Sequence, residues 1–258
     1  MTANETSNPQ AVYVYGVVPA GVALPVGEAG VGGREVELLE YDGIAAVVSE
    51  FPAGDVRVRR RDLLAHLRTL ERIFDEVTVA PCPFGTVIAS RGEVESAFLA
   101  PRRAELRRLL GRLEGHVQMN VKAEYDEEAV LREIVTHDSD VARARERSKA
   151  LGAAGYYENI RLGELISARL AGLRASDGAE ISARLSSFAA ESASDATDGS
   201  ELLVFKGSFL VARDRLEGFD ATLDALAASH ADRLRVEAIG PLPPTAFATL
   251  GPEGDKWG

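Results

Sequence analysis

The stretch Val117–Tyr125, VQMNVKAEY, alternates apolar and polar residues without interruption. Its apolar members are Val117, Met119, Val121, Ala123 and Tyr125. Successive side chains of a strand point to opposite faces of a sheet, so this pattern predicts a strand with one buried and one wet face. We place the start of a second domain at this strand, because the helices that precede it and the strand itself suggest separate sheets.

Upstream, Val12–Val18 (VYVYGVV) is rich in β-branched and aromatic residues and predicts a buried first strand. Glu35–Tyr41 and Ile44–Ser49 flank Asp42-Gly43, a dipeptide that favours the positive φ angles of a tight hairpin turn. These segments predict an antiparallel sheet.

Helical spacing follows the hairpin. From Arg60 to Val77 apolar residues recur every three or four positions and predict an amphipathic helix with one core-facing stripe. The stripe comprises Leu63, Leu64, Leu67, Leu70, Ile73, Phe74 and Val77. Short strands are predicted within Val77–Ser90, and a second helix over Glu93–Leu113 should kink or restart at Pro101.

Downstream of the alternating strand, Asp126 to about Ala196 is predicted to be helical. Breaks are expected at His137–Asp140 and at Ser176–Gly178. The remaining elements are a strand, or two joined at Gly207, over Leu202–Val211, a helix over Asp214–His230 and a strand over Leu234–Ile239.

Mixed strands and helices in both halves predict an α+β fold of two domains. Each is expected to be a modified ferredoxin-like antiparallel sheet with packed helices, and the second carries a helical extension. The expected bounds are 1–10 for a disordered lead-in, 11–115 and 116–250 for the domains, and 251–258 for a tail. Gly240–Phe247 (GPLPPTAF) is expected to be a clasp without regular secondary structure that packs on the second domain through Leu242 and Phe247, or else a docking strip.

Composition and charge argue against several classes of function. The 258 residues carry a formal net charge of −11 and a pI of about 5.0, so the chain as a whole repels nucleic acid and anionic lipid. No apolar run approaches the roughly 20 residues that span a bilayer, and the polar start MTANETSNPQ does not resemble a signal peptide. We therefore expect a cytoplasmic protein without nucleic-acid or membrane partners.

No catalytic, cofactor or metal site is predicted. The four histidines, expected at surface or cap positions, are His66, His116, His137 and His230, and none has metal-ligand spacing. Gly27–Gly33 lacks the lysine of a phosphate loop. Cys82, the single cysteine, stands between two prolines without a nearby histidine and is expected to be a buried, unreactive thiol.

Two arginine-rich stretches are candidate protein contacts. The first, Arg57 with Arg59, Arg60 and Arg61, precedes and opens the first helix, where the alternative is a solvated helix start. The second runs from Arg102 to Arg112, lacks interleaved aromatic residues and includes Arg103 and Arg107. With Leu242 and Phe247 of the clasp, these residues complete the predicted protein-contact set.

Seven segments in order resemble the gas vesicle protein F/L family. They are YVYGVV at Tyr13–Val18, the hairpin ending in AAVVSE, PCPFGTV at Pro81–Val87, VKAEYDE at Val121–Glu127, YYENIRLGEL at Tyr156–Leu165, FLVARDRLEGFDATLDAL at Phe209–Leu226 and IGPLPPTAF at Ile239–Phe247. The family commonly has a basic residue where this chain has Pro83, and an aromatic pair near the final prolines where it has Leu242, Thr245 and Ala246.

This resemblance implies a non-enzymatic accessory or minor shell component of gas vesicles. It implies that the chain binds the small hydrophobic main shell protein and other accessory proteins during vesicle nucleation, and that it is found at gas vesicles in the cytoplasm. It leaves the oligomeric state open. The alternative is a small-ligand-binding protein or an enzyme that uses the cleft between the domains, which would require convergent polar groups with perturbed pKa values.

Overall fold

A computed structural model describes residues 10–24, 29–51, 59–152, 155–195 and 200–248. Contacts divide the chain into two units, with breaks after Gln118 and after Gly240. Residues 241–248 thus group with the first unit, whereas residues up to 250 were expected in the second domain. Independent folding of two domains that divide near Gly115 stays a prediction.

The first unit contains an antiparallel sheet of five strands. Their order is β2-β3-β1-β4, with β5 also paired to β1. The strands are β1 (Ala11–Pro19), β2 (Val36–Tyr41), β3 (Ile44–Phe51), β4 (Ala80–Pro81) and β5 (Val87–Ile88). Consecutive residues are buried in both β1 and β3. Both faces of the sheet centre are therefore covered.

The predicted hairpin is confirmed. β2 and β3 pair up to Tyr41 opposite Ile44. Asp42 and Gly43 between them have φ angles of 38° and 83°. Two consecutive positive φ angles match the right-handed twist of the strands that they connect, which is why Asp-Gly favours this turn.

Two long helices, α1 (Arg60–Glu76) and α3 (Ala100–Leu113), pack against β1. A short helix α2 (Arg91–Glu93) and a π-helical segment, Val94–Leu99, lead into α3. The backbone N–H of Ala100 bonds to the carbonyl of Glu95, five residues back. Pro101 has no N–H to continue an α-helical ladder, so the wider turn before it confirms the expected restart.

The second sheet has the order β7-β8-β6-β9. Its strands are β6 (His116–Tyr125), β7 (Ala189–Ser194), β8 (Leu203–Ala212) and β9 (Leu234–Leu242). The helices of this half are α4 (Glu127–His137), α5 (Ser139–Leu151), α6 (Tyr156–Ser186) and α7 (Leu216–Ser229). The α+β class with two sheets and added helices is confirmed. The strand at Val117–Tyr125 and its buried apolar face are also confirmed, but Gln118 on the predicted wet face is only 3% exposed. None of the helices in the described ranges has the length and apolar composition needed to cross a bilayer.

The expected break at His137–Asp140 is confirmed. Asp138 ends α4 and caps α5, where its Oδ1 accepts the N–H groups of Asp140 and Val141 at 2.9 and 3.1 Å. The bond from Val141 is the main reason why the pKa of the Asp138 carboxyl is lowered. A carboxylate at this position also complements the positive end of the helix dipole.

The break predicted at Ser176–Gly178 is wrong, because α6 continues through it to Ser186. Asp177 is only 5% exposed and is paired with Arg233. At Gly178 a Cβ would lie 2.8 Å from the carbonyl oxygen of Val204, so the missing side chain lets α6 lie close against β8. Asp177 and Gly178, two of the residues that suggested a break, are thus packing positions.

The helix predicted to continue to about Ala196 is also wrong. Ala189–Ser194 forms β7, an edge strand paired with β8 from Ala189 opposite Val211 to Ser194 opposite Gly207. Alanine and serine have weak local preference for a strand, so this element depends on its neighbour β8.

Candidate protein-interaction surface

The N-terminal half of α1 presents leucines to solvent. Leu63, Leu64 and Leu67 are 37%, 41% and 39% exposed. We refer to these three residues as the leucine face. Their predicted position in the core is therefore wrong. The buried side of α1 instead comprises His66, Thr69, Leu70, Ile73 and Phe74.

The sequence itself indicates that α1 has more apolar residues than its core-facing side can bury. With about 100° per residue, the seven apolar positions predicted for α1 span about 180° of the helix, whereas a core-facing stripe needs little more than 100°. Some of the seven therefore had to remain outside the core. Only the packing of the buried side decides which ones.

His66 sets the rotation of α1. It is 2% exposed, and its Nδ1 lies 3.0 Å from the hydroxyl of Tyr13. The imidazole stacks on Tyr15 with ring centroids 5.7 Å apart and meets Phe84 edge-on at 5.6 Å. The expectation that all histidines lie at surface or cap positions is thus wrong for His66. Leu67 lies about 100° from His66 around the helix and is 39% exposed.

Burial lowers the pKa of His66 to about 4, while a backbone hydrogen bond at Cys82 opposes that shift. Tyr13 accepts the N–H of Gly85 at 3.0 Å, which leaves its own proton to donate to Nδ1 of His66. Nε2 then carries the imidazole proton and donates the hydrogen bond to the backbone at Cys82. A neutral imidazole thus connects β1, α1 and the loop before β5.

Tyr15 makes a second buried connection on the same side of the sheet. Its hydroxyl lies 3.0 Å from Oγ of Ser49 and accepts the N–H of Val31 at 2.6 Å. A Cβ at Gly30 would fall 2.1 Å from this hydroxyl, so the close approach requires glycine. The hydroxyls of Tyr13 and Tyr15 thus connect β1 to α1 and to β3.

Arginines border the leucine face. Arg59, Arg60 and Arg61 are exposed at the start of α1, and Arg61 lies 3.5 Å from Asp62. Arg68 is exposed one residue after Leu67. Arg57 lies outside the described residues. The resulting surface combines apolar contact area with positive charge, and it lies on a chain whose formal net charge is −11.

The arginines of α3 are placed differently. Arg103 and Arg107 both pair with Asp42 in the turn of the β2–β3 hairpin, with side chains about half exposed (45% and 50%). Arg102 pairs with Glu105 at 3.1 Å, and Arg112 donates to the carbonyl of Phe247 at 2.8 Å. These contacts hold the first unit together, so they leave less of this stretch for a partner than the start of α1 offers.

The C-terminal segment, residues 243–248, packs within the first unit. Phe247 is 6% exposed, and the N–H of Ala246 donates to Oε1 of Gln118 at 2.8 Å. The expected clasp is thus ordered, but it groups with the first unit and contacts both Arg112 and Gln118, which lie on either side of the predicted division near Gly115. Pro241 and Leu242 extend β9 instead of lying outside regular structure. Leu242 is half-buried, which leaves Phe247 as an internal anchor and Leu242 as the more accessible of the two candidates.

Two features of the described residues bear on chemistry, the single cysteine and a groove beside α6. Cys82 is 3% exposed, which confirms the predicted burial, and that burial raises the pKa of its thiol to about 12 and so disfavours the reactive thiolate. No group of three or more potential metal ligands occurs within the described ranges. A groove of about 320 Å³ between α6 and β8 is lined mainly by small residues, and Lys206 there pairs with Asp195 at 3.1 Å.

Known proteins match nearly the whole chain. The family model described as "Gas vesicle synthesis protein GvpL/GvpF" matches residues 11–249. A gas vesicle protein F from Streptomyces sp. is 34% identical over 91% of this chain and 98% of its own length. A gas vesicle protein F from Haloferax mediterranei is 28% identical, with 93% of both chains covered.

Two solved structures share the fold. The crystal structure of the gas vesicle protein GvpF from Anabaena sp. superimposes with a TM-score of 0.82 at 24% identity, covering 94% of this chain and 99% of that one. For GvpF from Microcystis aeruginosa the TM-score is 0.74 at 21% identity, covering 93% and 99%.

Proposed function

Because the chain belongs to the GvpL/GvpF family of gas vesicle synthesis proteins, we propose that it acts in vesicle assembly by binding the main shell protein through the leucine face of α1. Its general association with gas vesicles follows from the family itself. The proposal adds a binding partner, a surface and a role as an accessory or minor shell component that also contacts other accessory proteins.

The observation that carries the proposal is the exposure of three leucines on one helix whose orientation is held by buried hydrogen bonds. Fully burying a leucine contributes roughly 1.5 to 3 kcal/mol, and α1 forgoes much of this at Leu63, Leu64 and Leu67. Single exposed leucines are common, but adjacent ones on a rigid element are typical of protein-binding surfaces. A hydrophobic shell subunit is a suitable occupant.

An enzymatic or ligand-binding role receives less support. The shifted pKa values among the described residues belong to buried structural groups or to surface ion pairs and caps: Tyr13, His66, Cys82, Glu105, Tyr125, Asp138 and Arg233. None of them lines the groove between α6 and β8. An active site usually gathers such groups around a pocket.

Co-purification with the main shell protein tests the proposal. The double variant Leu64→Glu/Leu67→Glu should lose capture of the shell protein, because two carboxylates would then have to be buried in the contact. The matched control, Leu151→Glu/Ile160→Glu, places the same charges on exposed apolar positions of the second unit, which are 49% and 44% exposed. Equal capture by both variants, with circular dichroism unchanged, would exclude the leucine face as the contact.

A further inference from the structure

The leucine face lies within a strip that is ordered by charge along the helix. Arg60 stands four residues before Leu64, and Glu71 stands four residues after Leu67. With 3.6 residues per turn, these four side chains fall within about 60° of one another around α1. The strip therefore runs from a basic end through two leucines to an acidic end.

All four side chains of this strip are exposed, Leu64 and Leu67 at 41% and 39%. Within the described ranges, neither Arg60 nor Glu71 has an ion-pair partner. The strip thus offers an apolar centre and two opposite charges that are available for contact.

We propose that this strip pairs with the same strip of a second copy of the chain, with the two α1 helices antiparallel. The two-fold axis passes midway between Leu64 and Leu67. Because Arg60 and Glu71 are equally far from that midpoint, Arg60 of each copy meets Glu71 of the other, and Leu64 of each copy meets Leu67 of the other. One alignment of the two helices therefore pairs both the leucines and the opposite charges, as an isologous dimer requires.

The change of sign along the strip is what favours a second copy. A parallel pair of helices would place Arg60 beside Arg60 and Glu71 beside Glu71. A uniformly acidic partner or an anionic membrane would be repelled by Glu71 and by the net charge of −11. The antiparallel copy has the opposite charge at both ends.

The dimer is weak, since a contact of two helix faces is smaller than the roughly 1,200 to 2,000 Å² of stable complexes. It forms at high concentration and dissociates on dilution. The dimer itself requires no shell protein. Its consequence, that self-pairing covers the leucine face until the shell protein displaces it, rests on the proposed function.

Sedimentation equilibrium of the full chain, over a wide range of concentrations, tests the pairing. The wild type should show a concentration-dependent dimer. Arg60→Glu and Glu71→Arg should each weaken self-association about tenfold or more, because each variant brings like charges together at both ends. The double variant Arg60→Glu/Glu71→Arg should dimerise like the wild type.

Mixing the two single variants gives the most specific test of this pairing. In the heterodimer the carboxylate introduced by Arg60→Glu meets the guanidinium introduced by Glu71→Arg. At the other end the unchanged Glu71 of the first variant meets the unchanged Arg60 of the second, so both contacts are attractive. We expect a larger dimer fraction in the mixture than in either variant alone at the same total concentration, and we expect salt to reduce the difference. Arg143→Glu, an exposed charge reversal on α5, serves as the control.

A wild type that stays monomeric at every concentration overturns the proposal, and so does a mixture that forms no heterodimer. Dimerisation that survives both single reversals overturns it as well, because the contact then lies elsewhere. Capture of the shell protein is a separate measurement on the same chain, so failure of the dimer is distinct from failure of the proposed function.

Discussion

The hydroxyl of Tyr13 lies 3.0 Å from Nδ1 of His66 and also accepts the N–H of Gly85 at 3.0 Å. With a neutral imidazole Nδ1 can accept the hydroxyl proton, whereas a protonated one would present a second donor to an oxygen that already accepts the N–H of Gly85. The protonation state of one buried histidine is therefore coupled to the placement of α1 and of its leucine face.

Acidification should destabilise the protein through His66. Its pKa falls from the usual 6.5 to about 4 on folding, so the unfolded state binds the proton first. Stability is then complete above about pH 6.5 and is lost as the pH falls toward 4, by about 3 kcal/mol in total at about 1.4 kcal/mol per unit of pKa. Urea unfolding at a series of pH values measures this loss. His66→Gln should flatten the slope between pH 6.5 and 5, and the exposed His137→Gln should retain it.

Removing the Arg233 guanidinium should destabilise the second unit. Arg233 bonds to Asp177 at 2.8 Å and to Glu133 at 2.9 Å, and Tyr125 donates to Asp177 at 2.6 Å. Arg233→Met leaves the buried Asp177 without its cation and should cost about 3 kcal/mol in urea unfolding. Arg143→Met, which breaks an exposed pair, should cost less than about 0.5 kcal/mol. Similar losses in the free energy of unfolding for both variants would contradict a larger stabilising role for the buried pair.

The C-terminal segment should stabilise the first unit through Phe247. Phe247→Ala removes a side chain that is 6% exposed and should cost about 3 to 5 kcal/mol, seen as a lower melting temperature. Ile239→Ala, at a position 65% exposed, is the control and should leave the melting temperature nearly unchanged. Deletion of residues 241–258 should lower it at least as much as Phe247→Ala. A truncated protein as stable as the intact one would contradict the anchoring role.

Two glycines of α6 should respond in opposite directions to alanine. At Gly178 a Cβ would meet the carbonyl oxygen of Val204 at 2.8 Å, so Gly178→Ala should destabilise by about 1 to 3 kcal/mol. At Gly172 a Cβ meets nothing within 4 Å, so Gly172→Ala should stabilise by up to about 1 kcal/mol. Thermal unfolding of both variants measures the difference. If Gly178→Ala were also stabilising, α6 would not lie against β8 as described.

Much of the fold was predictable because its signals are local. Alternation over Val117–Tyr125, the Asp42-Gly43 turn and the restart at Pro101 each depend on neighbouring residues, and all three are confirmed. The errors concern residues whose role depends on distant partners. Asp177 continues a helix because Arg233 neutralises it, and Ala189–Ser194 forms a strand because β8 lies beside it.

For the candidate surface, the sequence by itself determined the arginines at the start of α1 and the apolar character of the helix, since both follow from residue identity and spacing. Only the tertiary structure decided that His66 faces the core and that Leu63, Leu64 and Leu67 face solvent. Periodicity shows that a helix has an apolar side but not where that side ends. His66 is held in the core by a contact with the hydroxyl of Tyr13, which is distant in sequence, so no local pattern encodes it.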